Sequence, residues 1–392
     1  MAVDDPRVDA TLAFDASSAL DEPVSFRVPA GIVAGAEQRA GCPVAVYVID
    51  LDGSCLIRLA GEEAIFPERI AAPFGVGPEL PLEALPGLRR VVASELAGAT
   101  VTPLVLRERA LAVLVCRGEP AASLDALAGQ AVLALELGSG YGDVVHAARR
   151  RKTTKPAAEI QQNLLPPRLT RVEGAQLAGG VLPGYEVGGD FFDYADNGDG
   201  LWLTVGDAMG KGNNAAALSA LTVGALRAAR RGGDSLVEVA HGMHEAVRGT
   251  GDVSRFVTAI VGVLDRDRRV LRYINLGHPP PLLMRPDGTV RELPGARTYP
   301  LGIIQTRRRL QPAEATLDPG DRLVMYSDGL SERRRCDRTL FGVEGIVEAI
   351  RPTARASAAT TVRALQSAAV GVSDEPLRDD ATLLVIALDP SA

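Results

Sequence analysis

Cysteine and histidine are scarce in this sequence, with four residues of each among 392. The cysteines are Cys42, Cys55, Cys116 and Cys336. They are scattered and form no CxxC pair, which argues against a disulfide framework and against a zinc site. His241 and His244 are three positions apart, but no third nitrogen or sulfur ligand accompanies them. We therefore expect that any metal ion in this protein is held by oxygen.

Long apolar runs and an excess of positive charge are also absent. The Ala-rich stretches are broken by Glu, Arg and Gly, so no segment reaches the length that spans a bilayer. The N-terminus, MAVDDPRVDATLAF, has neither the basic start nor the apolar core of a secretory signal. The formal net charge of −7 disfavours non-specific binding of nucleic acid. These features predict a cytoplasmic protein with no membrane and no nucleic acid as partner.

The length of 392 residues favours two domains and a connector over a single core. Residues 1–21 are polar and unpatterned, which predicts a flexible arm. Residues 22–123 show a mixed α/β pattern, with one hairpin turning at Asp52-Gly53 and another around Arg107-Glu108-Arg109. This pattern resembles a GAF sensor domain, and a PAS-type sensor is the alternative.

Residues 124–171 are predicted to form a helical connector, and residues 172–390 a second domain. A helix is expected from Leu124 to Arg151, because apolar and small residues alternate at spacings of three and four. These residues are Leu124, Leu127, Ala131, Ala134, Gly138, Tyr141, Val145 and Ala148. The same seam would serve self-association or packing on the sensor domain. Pro156 interrupts the helical pattern, which AAEIQQNLL resumes before two prolines end it.

Acidic residues in the C-terminal half share one setting, the end of a strand-like segment. They are Asp190 in EVGGDFFDY, Asp207 after LWLTV, Asp328 after LVMYS, and Asp379 with Asp380 before ATLLVIAL. A strand end holds a side chain rigidly and leaves its carboxylate accessible. A single Asp-Gly step is first of all a turn signal, but several carboxylates brought together repel one another. Such a cluster favours a hard cation with oxygen ligands, Mg²⁺ or Mn²⁺.

Short motifs in the same half occur in the order VGGDFFD, VGDAMGKG, FVTAIVGVLD, NLGHPPPLL, PLGI, YSDGLSE, LFG and RDDATLLV. This series, from about Leu165 to Leu388, resembles bacterial PPM phosphatases of the SpoIIE/RsbU type, a branch of the PP2C-like serine/threonine phosphatases. The resemblance implies an α+β chain. Its C-terminal part would be an αββα sandwich of two antiparallel sheets flanked by helices, preceded by an α/β GAF-like domain and the helical connector.

The resemblance also implies a site for two Mn²⁺ or Mg²⁺ ions. By motif, Asp207 would bridge both ions, and Asp190 with the backbone carbonyl of Ala208 would hold one of them. Asp328 and Asp379 would hold the other, with the following aspartate as the alternative to Asp379. In a two-metal site a water molecule loses a proton readily and attacks phosphorus, so no cysteine or histidine nucleophile is required.

Relatives with a sensor domain dephosphorylate phosphoserine or phosphothreonine on a STAS-type anti-anti-sigma protein. The resemblance therefore implies such a phosphoprotein partner, and a sensor-gated homodimer joined through the connector. Two other functions stay open: a catalytically silent regulator that binds a phosphoprotein, and a metal phosphohydrolase for a small phosphorylated metabolite. Lys211 and His278 lie within the motifs, but a surface lysine and a stiff turn are the simpler interpretations.

Overall fold

The computed structural model describes residues 25–182, 188–252, 254–303, 310–375, 377 and 379–390. The chain divides into two compact units, Met1–Arg151 and Lys152–Ala392. The predicted arm, residues 1–21, lies outside the described residues. The division falls inside the predicted connector, so residues 124–151 belong to the first unit and residues 152–171 to the second. No helix in the described part is long and apolar enough to cross a membrane.

The N-terminal unit combines short helices with one antiparallel sheet. Its described strands are β1 (Val44–Ile49), β2 (Cys55–Ala60), β3 (Arg69–Ala71), β4 (Leu80–Pro81), β5 (Thr100–Leu106) and β6 (Arg109–Cys116). Its described helices are α1 (Val28–Ala40), α2 (Leu85–Glu95), α3 (Asp125–Ser139) and α4 (Val144–Ala148), with 3-10 turns at Ser25–Arg27 and Leu82–Ala84.

The sheet of this unit runs β3-β2-β1-β6, and β4 and β5 both pair with β6. The two predicted hairpins are confirmed, since β1 pairs with β2 and β5 pairs with β6. β1 is buried along its whole length. Its successive residues Val46 and Tyr47 point to opposite faces and belong to different cores. Val46 packs in the core that includes α1 and α3, and Tyr47 in the core that includes α2. The sheet is therefore covered by helices on both faces, and its GAF or PAS type stays a prediction.

The prediction of one helix from Leu124 to Arg151 is wrong. Residues 140–143 separate α3 from α4, and they include Gly140 and Gly142. Glycine costs about 1 kcal/mol relative to alanine inside a helix. Two glycines within three positions therefore end α3, although the apolar spacing continues beyond them.

The seam on this segment faces the core of its own unit. Leu124, Leu127, Ala131 and Ala134 are all buried there. Packing on the N-terminal unit, one of the two sequence interpretations, therefore accounts for these four residues. Tyr141 of the same seam is exposed, and self-association through the connector stays a prediction.

The C-terminal unit holds the remaining elements. Its described strands are β7 (Leu169–Val172), β8 (Ala175–Leu182), β9 (Asp190–Asn197), β10 (Gly200–Ala208), β11 (Val257–Asp265), β12 (Val270–Leu276), β13 (Leu282–Met284), β14 (Val290–Glu292), β15 (Arg297–Thr298), β16 (Ala313–Thr316), β17 (Arg322–Tyr326) and β18 (Ala381–Leu388). Its described helices are α5 (Pro156–Leu164), α6 (Asn213–Arg231), α7 (Leu236–Arg248), α8 (Asp328–Ser331), α9 (Gly342–Ile350) and α10 (Ala358–Gly371), with a 3-10 turn at Arg351–Thr353.

These strands form two six-stranded sheets packed face to face. One runs β15-β12-β11-β10-β9 with β16 also on β12, and the other runs β14-β13-β17-β18-β8-β7. Leu203 from the first sheet and Leu384 from the second share the core between them. α6 and α7 cover the outer face of the first sheet, where Trp202 and Met243 are buried together, and α10 packs on β8 and β18. This is the predicted αββα arrangement.

The alternation of side chains along β10 sets the direction of its last residues. Leu201, Leu203 and Val205 face the core between the sheets, and Trp202 faces the helices. Because successive side chains of a strand point to opposite faces, Asp207 continues the inter-sheet face at the end of β10. A polar residue thus follows the apolar core at one edge of the sandwich.

Leu384→Ala should lower the free energy of unfolding of the C-terminal unit by about 2–5 kcal/mol, because it opens a cavity between the two sheets. Leu221→Ala is the matched control, since Leu221 is 41% exposed on α6, and we expect a change of about 0.5 kcal/mol or less. Trp202, the one tryptophan of the sequence, lies buried in this unit, so its fluorescence during denaturation follows this unit. Equal losses in both variants would contradict the inter-sheet core.

Candidate active site

Asp190 and Asp207 lie directly opposite each other on β9 and β10. Side chains that oppose each other in an antiparallel pair have Cβ atoms about 4.5–5.5 Å apart. Both face the space between the sheets, because Phe192 and Val205, two positions along each strand, face the inter-sheet core. Each of the two carboxyl groups acts on the pKa of the other. Strand register alone therefore brings two of the predicted ligands together.

Asp328 and Asp379 approach from the second sheet. Asp328 follows β17, Asp379 precedes β18, and these two strands are paired neighbours. The negative charges of both residues act on Asp207, and that of Asp379 acts on Asp328 as well. The structure thus brings the four predicted aspartates to one edge of the sandwich.

Burial and repulsion by neighbouring carboxylates raise the pKa values of Asp190, Asp207 and Asp328. Burial, followed by the charge of Asp328, raises the pKa of Asp207 from 3.8 to about 6. Burial, followed by the charge of Asp207, raises the pKa of Asp190 well above its ordinary value. Burial and then the charges of Glu332 and Asp379 raise the pKa of Asp328. A nearby cation reverses such shifts, because it favours the ionised form of each carboxylate.

The oxygen donors at this edge fit a hard cation. A Cβ added at Gly189 would lie 2.9 Å from the carbonyl oxygen of Ala208 and 3.4 Å from Oδ1 of Asp207. The glycine therefore keeps open a space that both oxygens border. Carboxylate and carbonyl oxygens are the ligands that Mg²⁺ and Ca²⁺ prefer. Across the described residues, no three His, Cys, Asp or Glu side chains are gathered tightly enough to form a ready-made metal cage; the fit lies in the donor chemistry and the open space.

The adjacent aspartates before β18 have different surroundings. Asp379 is exposed, and Nζ of Lys211 lies 3.1 Å from its Oδ2, so this lysine interacts with the site even though it is itself about half exposed. Asp380 is buried, and its Oδ2 accepts hydrogen bonds from Nε2 of Gln161 at 2.8 Å and from the N–H of Gly189 at 3.2 Å. Asp379 is therefore the more accessible carboxylate, which supports its choice as the ligand.

Two buried residues that hold Asp190 were missed in the sequence analysis. Ser327 donates its hydroxyl to Oδ2 of Asp190 at 2.5 Å. Gln161 on α5 donates Nε2 to the backbone carbonyl of Asp190 at 2.9 Å. Signals for both were present: Ser327 is two positions beyond the inward-facing Met325, and Gln161 is three positions beyond the buried Ala158, on the same helix face.

Comparison with known proteins adds the family. Residues 197–389 match the family model of stage II sporulation protein E (SpoIIE). This match lies within the C-terminal unit, which is therefore similar to the SpoIIE phosphatases. The matched region of the SpoIIE-type domain contains Asp207, Asp328 and Asp379, while Asp190 precedes it. The family predicted from the motif order is confirmed for this domain.

Two curated proteins and one solved structure resemble the SpoIIE-type part of the chain. Protein IcfG of Synechocystis sp. is 28% identical over 258 residues, and the match covers 58% of this chain but only 40% of IcfG. Phosphoserine phosphatase RsbU of Bacillus subtilis is 25% identical over 231 residues, which cover 59% of this chain and 68% of RsbU. The SiaA-PP2C domain of Pseudomonas aeruginosa has a TM-score of 0.51 at 24% identity, covering 59% of this chain and 94% of that domain. The last likeness shows a shared fold.

Raising the pH should destabilise the metal-free protein. The pKa of the Asp207 carboxyl is raised from 3.8 to about 6 by folding. Such a group stabilises the fold below its unfolded pKa, and this contribution is lost as the pH rises through the folded pKa. In the presence of a chelator, we expect the melting temperature, followed by Trp202 fluorescence, to fall between about pH 4 and pH 7. Asp207→Asn should flatten this fall, whereas Asp196→Asn, an exposed position of β9, should not. The same pH dependence of the melting temperature in all three proteins would contradict the raised pKa of Asp207 in the folded state.

Proposed function

We propose that this protein is a metal-dependent serine/threonine protein phosphatase. The observation that carries the proposal is the meeting of Asp190, Asp207, Asp328 and Asp379 at one edge of a SpoIIE-type PP2C domain. Four strand ends from two sheets supply these carboxylates. Burial, and then the charge of neighbouring carboxylates, raises the pKa values of Asp190, Asp207 and Asp328, and a cation would favour their ionised forms. The match to RsbU, named a phosphoserine phosphatase, supports the same class of reaction.

The proposed cofactors are two Mn²⁺ or Mg²⁺ ions. Asp190, Asp207 and the Ala208 carbonyl would hold one ion, and Asp207, Asp328 and Asp379 the other, with Asp207 shared. When bound, such ions neutralise the charge of a phosphoryl group and activate water for in-line attack on phosphorus. The chain's own part is to hold the oxygens in place: Ser327 fixes the carboxyl group of Asp190 through its hydroxyl.

The proposed substrate is a phosphoserine or phosphothreonine on a small STAS-type anti-anti-sigma protein. This choice rests on the motif resemblance to sensor-bearing phosphatases of the SpoIIE/RsbU type. A silent phosphoprotein-binding regulator and a phosphatase for small metabolites are the other outcomes that an assay can return. Water activated by two metal ions at this site would attack any of these phosphate esters, so the choice of substrate would depend on the protein surface around the site.

The first test is Mn²⁺-dependent hydrolysis of p-nitrophenyl phosphate. Asp207→Asn should lower kcat by about 10²–10³-fold, because it removes a charge at the centre of the site. Asp196→Asn, on the exposed end of β9, should leave kcat unchanged. A phosphorylated STAS protein should then be a far better substrate than a sugar phosphate. No turnover by the native protein, or turnover unaffected by Asp207→Asn, would overturn the proposed function.

Gating by the N-terminal unit is the regulatory part of the proposal. α5 precedes the SpoIIE-type sandwich, and its Gln161 bonds both the backbone of Asp190 and the carboxylate of Asp380. Gln161 is buried, 1% exposed, so α5 must stay docked for these two hydrogen bonds to persist. A signal that shifts α5 would therefore reach a proposed ligand directly. A fragment that tests gating must begin at Lys152, because one that begins after α5 also removes Gln161.

Gln161→Ala should lower both kcat and the affinity for Mn²⁺ by about 10–100-fold, as expected for a residue that orients ligands without binding the ion. Asn163→Ala is the matched control, since Asn163 is exposed on the same helix and bonds Glu159. Phosphatase kinetics and calorimetric titration with Mn²⁺ measure the two effects. If Gln161→Ala has native kcat and native affinity for Mn²⁺, α5 does not influence the metal site through Gln161.

The homodimer is proposed from the family resemblance. Most of the seam first considered for it is buried in the N-terminal unit, whereas its Tyr141 is 88% exposed. Leu133 and Leu137 of α3 are 46% and 50% exposed and lie one helical turn apart. Light scattering on the native protein and on Leu137→Glu tests whether the chain associates and whether this face is involved.

A further inference from the structure

Thr258 and His278 lie beside the aspartate cluster, although neither belongs to the proposed ligand set. Thr258 on β11 directly opposes Asp207 on β10, which in turn opposes Asp190 on β9. Ile260, two positions beyond Thr258, faces the inter-sheet core, so Thr258 faces the same space. Three oxygen-bearing side chains therefore form a row across adjacent strands, with Asp207 in the middle.

His278 holds the hydroxyl of Thr258 in a fixed position. Its Nδ1 lies 2.7 Å from Oγ1 of Thr258, and the histidine is fully buried. Asn275 binds the backbone of His278 on both sides: Oδ1 accepts from its N–H at 2.8 Å, and Nδ2 donates to its carbonyl at 2.9 Å. The histidine is thus anchored through its backbone and its ring.

The surroundings of the ring indicate which nitrogen carries the proton. Burial lowers the pKa of His278 to about 3, so the ring is neutral. The backbone carbonyl of Tyr326 is the acceptor that acts on the ring and opposes this shift, although Nε2 does not reach a full hydrogen bond. The prolines after His278 have no N–H to offer this carbonyl. With the proton on Nε2, the nitrogen that does not contact Thr258, Nδ1 is an acceptor for the Thr258 hydroxyl.

A Thr258 hydroxyl that donates to His278 has no second proton to give. Its oxygen lone pairs remain, and in the described structure this hydroxyl bonds His278 and not Asp207. An oxygen in this state can only accept a hydrogen bond or a cation. Its position next to Asp207 places that acceptor where the reaction of a phosphatase would occur.

We propose that Thr258 is a positioning residue of the active site, whose hydroxyl oxygen, oriented by His278, would accept a hydrogen bond from a reacting water molecule bound beside Asp207. The inference rests on the proposed function. It adds a neutral oxygen to a row of carboxylates and gives His278 a role beyond that of a stiff turn. His278 also lies between the sheets, with Nδ1 at Thr258 on β11 and its ring within the influence of the Tyr326 carbonyl at the end of β17.

The kinetic test compares variants with and without the hydroxyl. Thr258→Val should lower kcat for p-nitrophenyl phosphate by about 10-fold, with KM and the calorimetric affinity for Mn²⁺ within about 2-fold, since water orientation and not binding is lost. Thr258→Ser should keep native kcat. Thr204→Val, a buried position of β10 on the opposite face of the sheet, is the matched control and should keep native kinetics. Thr258→Ala serves the same purpose if the valine variant does not fold.

A native kcat in the valine or alanine variant, or an equal loss in the folded serine variant, would overturn the proposal.

A second measurement does not depend on activity. Nitrogen NMR of the histidine rings, with His278→Gln for assignment, should show His278 neutral with its proton on Nε2, and Thr258→Val should shift the Nδ1 signal. A proton on Nδ1 in the native protein would overturn the proposal, even where hydrolysis is observed. If His278 is neutral with its proton on Nε2 but the native protein shows no Mn²⁺-dependent hydrolysis, the result contradicts the proposed function and not the position of the Thr258 hydroxyl.

Discussion

The antiparallel register of β9 on β10 is the constraint on which the rest of the site depends. It sets Asp190 opposite Asp207, and the two-residue alternation of strands turns both carboxyl groups toward the space between the sheets. A slip of one residue would turn a strand's carboxylate to the helix-covered face and bring the wrong side chains into the core. The apolar pattern of β10, with Trp202 on one face and Leu203 on the other, therefore fixes the position of the carboxylates as well as the core.

Carboxyl groups this close raise one another's pKa values, and donors from several elements offset the cost of burying them. Ser327 at the end of β17 reaches the carboxyl of Asp190, Gln161 of α5 reaches Asp380, and Lys211 reaches Asp379. Each donor comes from a different part of the C-terminal unit. The geometry of the site consequently depends on the packing of the whole unit, including the helix that precedes the sandwich.

Local features of the chain were predictable where one pattern had one structural meaning. The hairpin at Asp52-Gly53 followed from turn residues between alternating apolar segments, and the αββα unit followed from the order of the motifs. The apolar spacing after Leu124 had two meanings, because an intramolecular core and a dimer seam require the same pattern. The helix was also predicted too long, since that spacing continues through Gly140 and Gly142, where the helical backbone does not.

The sequence by itself determined which aspartates form the cluster, because Asp190, Asp207, Asp328 and Asp379 each stand at the end of a recognisable strand within a family motif. The motif favoured Asp379 over Asp380, and the tertiary structure added the different burial of the two carboxylates. Only the tertiary structure brought Gln161 and the Thr258–His278 pair to the site. The reason is distance along the chain. Gln161 and Asp380 are 219 residues apart in sequence, and a hydrogen bond between them exists only after both sheets and α5 have packed together.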